Sequence, residues 1–258
     1  MWTKRTLCQQ LGDLGVQPGD LLVVHSSFRA LGWVLGGPVT LIDTLLESVG
    51  PEGTLVMPTH TGDNSEPSHW KNPPAPESDW AQIRQETPAF DPARTPSYKM
   101  GVLPETFRCY PGVVRSDHPI GSFVALGPLA QTITEEHDLS EMFGDRTPLG
   151  AVYRNHGRVL LLGVGHDRNT SLHLAEFRAQ WPGKRWIQEG ARIRRNQRSE
   201  WVTFSMIPWD EDDFAELGAA FEEQHPARVG PVGNATARLL NQRALVDFGV
   251  GWMESHRR

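Results

Sequence analysis

Apolar residues along the chain alternate between two periods. Thr3 to Leu14 carries apolar positions at helical spacing and is closed by Gly15, so the pattern predicts a helix. After the turn Gln17-Pro18-Gly19-Asp20, the run Leu21-Leu22-Val23-Val24 reads as a buried strand. It ends in His25-Ser26-Ser27, followed by Leu31-Gly32-Trp33-Val34 and Gly36-Gly37. A helix over Val39 to Val49 and a strand over Thr54 to Met57 complete a strand–helix–strand unit, for which a right-handed parallel pairing is expected. The second strand also runs into polar residues, Pro58-Thr59-His60-Thr61-Gly62-Asp63.

The segment from Asn64 to Pro96 is long, Pro-rich and punctuated by Trp70, Trp80 and Phe90. Its aromatics argue for a packed excursion lining a cleft rather than a disordered insert. Beyond it, Gly101 to Arg108 has helical character, Arg115-Ser116-Asp117-His118-Pro119 precedes a strand over Ser122 to Leu126, and the Gly144–Gly150 turn follows. Val159 to Val164 is a short apolar run that breaks into Gly165-His166-Asp167-Arg168-Asn169-Thr170 and then into a helical stretch, Ser171 to Glu176. Trp186 to Phe204 reads as a hairpin around Asn196-Gln197. An acidic cluster, Trp209-Asp210-Glu211-Asp212-Asp213, opens a helix over Phe214 to Glu223. Val229 to Ala235 reads as a turn leading into a helix that runs to about Leu240, and an amphipathic tail with Leu245-Val246-Asp247-Phe248 follows. Alternating strands and helices predict an α/β fold: a single three-layer α/β/α domain over residues 1–258, with a largely parallel or mixed central sheet and a long inserted loop segment.

Composition narrows the function classes. The 258 residues carry a formal net charge of −6, with no long basic run outside the short Arg192–Arg198 patch, which disfavours nucleic acid and suits a cationic partner. Cys8 and Cys109 are too few for a disulfide framework. The N-terminal helix lacks an apolar signal core, and no apolar run approaches the ~18 residues that span a bilayer. These features predict a soluble, cytoplasmic protein without membrane partners.

Chemistry gathers where strands end and helices begin, because unpaired backbone N–H groups point there into the crevice. On a helix over Ser171 to Glu176, His173 and Glu176 share one face. A carboxylate beside an imidazole fixes its tautomer and strengthens it as a base. The pair is also compatible with a metal site that recruits His166 or Asp167, and spacing alone favours a satisfied histidine on a half-buried helix. Gly-x-Ser-x-Gly and Walker A sequences are absent, and Arg168 replaces the third glycine of a dinucleotide fingerprint.

In sequence order, these segments resemble the aminoglycoside 3-N-acetyltransferase family. The likeness is carried by Val24-His25-Ser26-Ser27 with Leu31-Gly32-Trp33-Val34 and Gly36-Gly37, by Gly53 to Thr59, by Arg115 to Pro119, by Leu161 to Glu176, and by Gly230-Pro231-Val232-Gly233 with Leu245 to Phe248. The resemblance implies transfer of an acetyl group from acetyl-CoA, as co-substrate and without a metal, to the 3-amino group of the 2-deoxystreptamine ring of an aminoglycoside antibiotic, conferring resistance. It implies that His173 is the general base and Glu176 its orienting carboxylate, and that Thr170 is an oxyanion donor. His25, Ser26 and Ser27, with Arg115 and Ser116 as further contacts, are implied for CoA. Asp63, Glu66, Asp210 and Asp212 are the candidate carboxylates for a polycationic substrate. An acetyltransferase for a non-antibiotic amine, a metal-dependent hydrolase and a non-catalytic CoA-binding protein stand beside this expectation. Monomer and homodimer both stay open.

Overall fold

A computed structural model describes residues 1–258. Nine strands and nine helices follow one another as α1 (Lys4–Leu14), β1 (Leu21–Ser26), α2 (Gly37–Val49), β2 (Thr54–Pro58), α3 (Trp80–Glu86), α4 (Val102–Arg108), β3 (Val114–Arg115), β4 (Phe123–Leu126), α5 (Ala130–Thr134), α6 (Pro148–Arg154), β5 (Arg158–Leu162), α7 (Ser171–Arg178), β6 (Ile187–Arg195), β7 (Arg198–Met206), α8 (Phe214–Gln224), β8 (Arg228–Val232), β9 (Ala235–Asn241) and α9 (Gln242–His256). Seven strands form one sheet in the order β3-β4-β2-β1-β5-β9-β8, and β6 with β7 forms a separate ribbon. Only β1 pairs in parallel, with β2 on one side and β5 on the other; every other pairing is antiparallel. The sheet is therefore mixed, with a parallel centre.

Strand pleat divides the core in two. Leu21 and Val23 of β1, Val56 of β2, and Val159 and Leu161 of β5 face the larger cluster, where α6, α7, α8 and α9 pack. Their alternates Leu22, Val24, Leu55, Met57, Leu160 and Leu162 face α1, α2 and α4. Burial on both faces explains why these strands read as continuous apolar runs rather than alternating ones. The three-layer arrangement follows from it.

One predicted element is replaced. The stretch read as a turn and helix to about Leu240 is a two-stranded hairpin, with Val232 opposite Ala235 and Gly233 at φ 62° in the turn. Its Ala, Arg and Leu residues favour a helix intrinsically, but pairing with β5 along Leu160↔Leu239 overrides that preference. Pro231 is tolerated because β8 is the edge strand. The predicted hairpin at Asn196-Gln197 is present, both residues having positive φ. Within the long excursion, Phe90 is buried and the guanidinium of Arg115 lies 5.0 Å from its ring centroid. No helix is long and apolar enough to cross a membrane.

Candidate active site

The parallel strands β1, β2 and β5 end on the same side of the sheet. Helices of opposite layers flank them there, which opens a crevice at the strand ends. A cavity of about 1380 Å³ fills it, lined by Ser26 and Ser27 after β1, His60 and Asp63 after β2, and Thr170 and His173 around the start of α7. Gly163 lets the chain leave β5 tightly. It sits at φ 70°, and a Cβ there would come within 2.6 Å of the Ala30 side chain in the loop after β1.

His173 projects from α7 into this cavity. Its Nδ1 lies 2.7 Å from Oε2 of Glu176, one helical turn on. Phe143 stacks on one face of the ring at 4.7 Å and 13°, and Phe214 leans on it at 4.8 Å and 59°. The ring is thereby held with Nδ1 committed to the carboxylate. Nε2 makes no hydrogen bond within the protein, and it is the nitrogen available to the cavity. Glu176 is 1% exposed, and its other oxygen accepts from Arg257 Nη1 at 2.5 Å and from the Asp210 N–H at 3.2 Å. A carboxylate so placed can stabilise an imidazolium on its far side.

Four further histidines lie at or near the cavity, His25 and His118 buried and His60 and His137 half-buried, and are kept neutral. Desolvation pushes His25 and His60 down to about 3, with a smaller contribution from the charge of His173, and pushes His118 down to about 4. His137 lies well below its ordinary value for the same reason, with His118 adding to the effect. His118 Nδ1 accepts the N–H groups of Ile120 and Gly121 at 3.1 and 2.9 Å, so the loop before β4 needs that nitrogen unprotonated.

The remaining sequence candidates divide. Ser26, Ser27, His25 and Asp63 line the cavity with His173 and Thr170. Asp63 is reached by solvent, yet the surrounding protein pushes its carboxyl up. Arg115 and Ser116 do not reach the cavity. Arg115 donates to the carbonyls of Thr59 and Pro92 and to Ser122, and burial pushes it down to about 10; Ser116 Oγ accepts the Phe123 N–H and donates to His137 Nδ1 at 2.9 Å. Glu66 also turns away, into Arg84, while Asp210 caps the N–H of Asp212. From the acidic cluster it is Glu211 that lines the cavity. His166 is committed elsewhere, with Nε2 at 2.9 Å from Glu222, and no group of three or more His, Cys, Asp or Glu is spaced as a metal set.

Three contributors escaped the sequence pattern. Glu189 of β6 lines the cavity, buried, and accepts from Gly190 N–H at 2.8 Å; a lone acid amid the basic and apolar residues of that strand was its signal. Phe143 and Arg257 carry no such signal, since a stacked aromatic and a tail arginine are ordinary in any sequence. Arg29 and Arg168, both exposed, also line the cavity, with Arg168 Nε 3.2 Å from Asp167.

The family profile described as aminoglycoside 3-N-acetyltransferase matches residues 23–254. The chain belongs to this family. It is 41% identical over 251 residues to the SPbeta prophage-derived aminoglycoside N(3')-acetyltransferase-like protein YokD of Bacillus subtilis, a match covering 97% of this chain and 92% of that protein. The crystal structure of YokD superposes with a TM-score of 0.95 at 39% identity, covering 99% of this chain and 100% of that one. The sisomicin-bound acetyltransferase AAC-VIa aligns with a TM-score of 0.90 at 33% identity, over 100% and 99% of the two chains. AAC-IIIb in a binary complex with CoASH aligns at 0.88 and 32% identity, over 98% and 97%. The α/β fold expected from the pattern is thus the fold of this family's solved members.

Proposed function

We propose that the protein transfers the acetyl group of acetyl-CoA directly to the 3-amino group of a 2-deoxystreptamine aminoglycoside, with His173 as general base. One observation carries this reading: a cavity-facing imidazole whose Nδ1 is fixed by a buried carboxylate at 2.7 Å, leaving its Nε2 free towards the cavity. Family membership and the CoASH-bound and sisomicin-bound relatives support the two substrates.

The chemistry follows from the arrangement. An aliphatic amine is largely protonated near neutral pH, and the nitrogen that attacks a thioester must shed a proton. His173 Nε2 takes that proton and so frees the lone pair with which the amine attacks. Glu176 stabilises the resulting imidazolium without itself accepting the proton. The carbonyl oxygen gains charge as the tetrahedral intermediate forms. Thr170, buried at the start of α7 with a hydroxyl free of other partners, is suited to donate to it. Collapse expels the CoA thiolate, which takes up the second proton of the attacking nitrogen, and the imidazolium then releases the first to solvent. No acyl-enzyme is required, so neither cysteine has a role. Ser26 and Ser27, with the charges of Arg29 and Arg168, suit the pantetheine and phosphates of CoA. Asp63 and Glu211 offer carboxylates to the ammonium groups of the acceptor, and such acetylation would confer resistance on a cell carrying the enzyme.

Replacing His173 with alanine tests the role. Turnover falls by about three orders of magnitude, while calorimetry still records acetyl-CoA binding. Turnover within a few-fold of the parent would end the general-base reading.

A further inference from the structure

Glu176 divides its two oxygens. Oε2 addresses His173 Nδ1 at 2.7 Å, whereas Oε1 accepts from Arg257 Nη1 at 2.5 Å and from the Asp210 N–H at 3.2 Å. Arg257 is itself locked. Its Nη2 and Nε donate to the two oxygens of Asp213 at 2.6 and 2.7 Å, and Nη2 also donates to the Asp210 carbonyl at 2.9 Å. The guanidinium lies 5.0 Å from the ring centroid of Trp181 and 5.9 Å from that of Phe214, the same ring that leans on His173. Its side chain is 10% exposed. Every nitrogen of the fork is therefore engaged, and the aromatic rings restrict its tilt. The segment after α9 is tied in this way to the turn before α8 and to the catalytic helix α7.

We propose that Arg257 is a positioning residue for acetyl transfer: it fixes Glu176 so that one oxygen alone meets His173, and its charge limits how strongly that carboxylate holds a proton on the imidazole. This deepens the general-base reading and rests on it. A buried carboxylate facing only a histidine would stabilise the imidazolium strongly and delay loss of the proton at the end of each turnover. Sharing the carboxylate with a permanent cation weakens that hold while keeping the geometry. Burial works against the Arg257 charge, but the hydrogen bonds to Asp213 and Glu176 outweigh it and hold the group above its ordinary pKa. The other ionisable groups that bear on the pair are Lys184, which feels the Glu176 charge, and His25 and His60, which feel His173; burial holds both of these histidines neutral.

The test compares Arg257→Gln, Arg257→Lys and Asp213→Asn by initial rates of CoA release across pH, with stability and acetyl-CoA binding measured in parallel. Arg257→Gln is expected to lower kcat about a hundredfold through misplacement of the pair, with KM for acetyl-CoA little changed. The acid limb of its kcat/KM profile moves to higher pH, because Glu176 then holds the imidazolium more tightly. Arg257→Lys keeps the charge and leaves the limb in place, but without the fork it restores kcat only in part. Asp213→Asn moves the limb the opposite way, because the Arg257 charge is then less compensated. A structural role alone would lower stability and active-enzyme yield without displacing either limb, and that result overturns the proposal. Should Arg257→Gln fail to fold, an unmoved limb in Asp213→Asn overturns it equally. His173→Ala in the same assay separates the two claims. Activity retained there defeats the general-base reading, whereas an inactive His173→Ala beside a parent-like Arg257→Gln defeats only the role of Arg257.

Discussion

Glu176→Gln removes one charge from the site while keeping nearly the same shape. In the parent, Oε1 receives two donors, Arg257 and the Asp210 N–H, so it is the carbonyl oxygen of the glutamine that takes that place. The amide nitrogen then faces His173 Nδ1 and donates to it. The imidazole proton is forced onto Nε2, where the substrate amine needs an acceptor. The charge effect acts in the same direction. Carboxylate and imidazolium centred about 4 Å apart at an effective dielectric of about 20 attract by about 4 kcal/mol, which corresponds to roughly a thousandfold in rate. The expected kcat for Glu176→Gln is therefore lower by roughly 10³. Thiol release from acetyl-CoA reports the rate, and calorimetric binding of acetyl-CoA confirms an intact cavity. The deficit should also shrink as pH rises towards the pKa of the amine, because a deprotonated nucleophile no longer needs the base. A kcat within about threefold of the parent, or a deficit constant with pH, would refute the reasoning.

Two other consequences follow from the structure. The desolvated histidines make stability pH-dependent: His25 and His60 titrate at about 3 and His118 at about 4 when folded, against 6.5 as the ordinary value. The unfolded chain thus binds protons first as pH falls. Stability is fully present above the unfolded value and is lost on the way down to the folded ones, at about 1.4 kcal/mol per histidine per pH unit. Thermal unfolding should show Tm lower by roughly 10 °C near pH 5 than near pH 7, and a flat Tm over that interval would contradict the burial of neutral imidazoles. Asp63→Asn should raise KM for a polycationic acceptor about tenfold with kcat little changed, since a charged hydrogen bond to an ammonium is worth about 1.5–3 kcal/mol; steady-state kinetics with the acceptor varied would show an unchanged KM if Asp63 plays no part.

Much of the scaffold was legible from periodicity. Leu21 to Val24, Thr54 to Met57 and Val159 to Val164 stand out because both faces of the central sheet are buried, which makes their strands continuously apolar. The polar residues that end them mark the crevice for the same reason: they sit where the strands stop. Ala235 to Asn241 was less legible, because residues with good helix propensity are held extended by a partner strand remote in sequence. In the site, His173 and Glu176 are three residues apart, so local geometry brings them together. Arg257 reaches Glu176 across 81 positions, and nothing in a short window reports such a contact. The acidic cluster shows the same limit at close range. Composition marks it as a source of carboxylates, but only the path of the turn decides that Glu211 faces the cavity while Asp210 caps Asp212.

The central claim is most directly tested by incubating the protein with acetyl-CoA and a panel of gentamicin, kanamycin, neomycin and apramycin, following thiol release and locating the acetyl group on any product by NMR. The account predicts release that depends on the acceptor and a single acetyl group on the 3-amino nitrogen of the 2-deoxystreptamine ring. Acetylation at another nitrogen, or no release with any of the four, would contradict it.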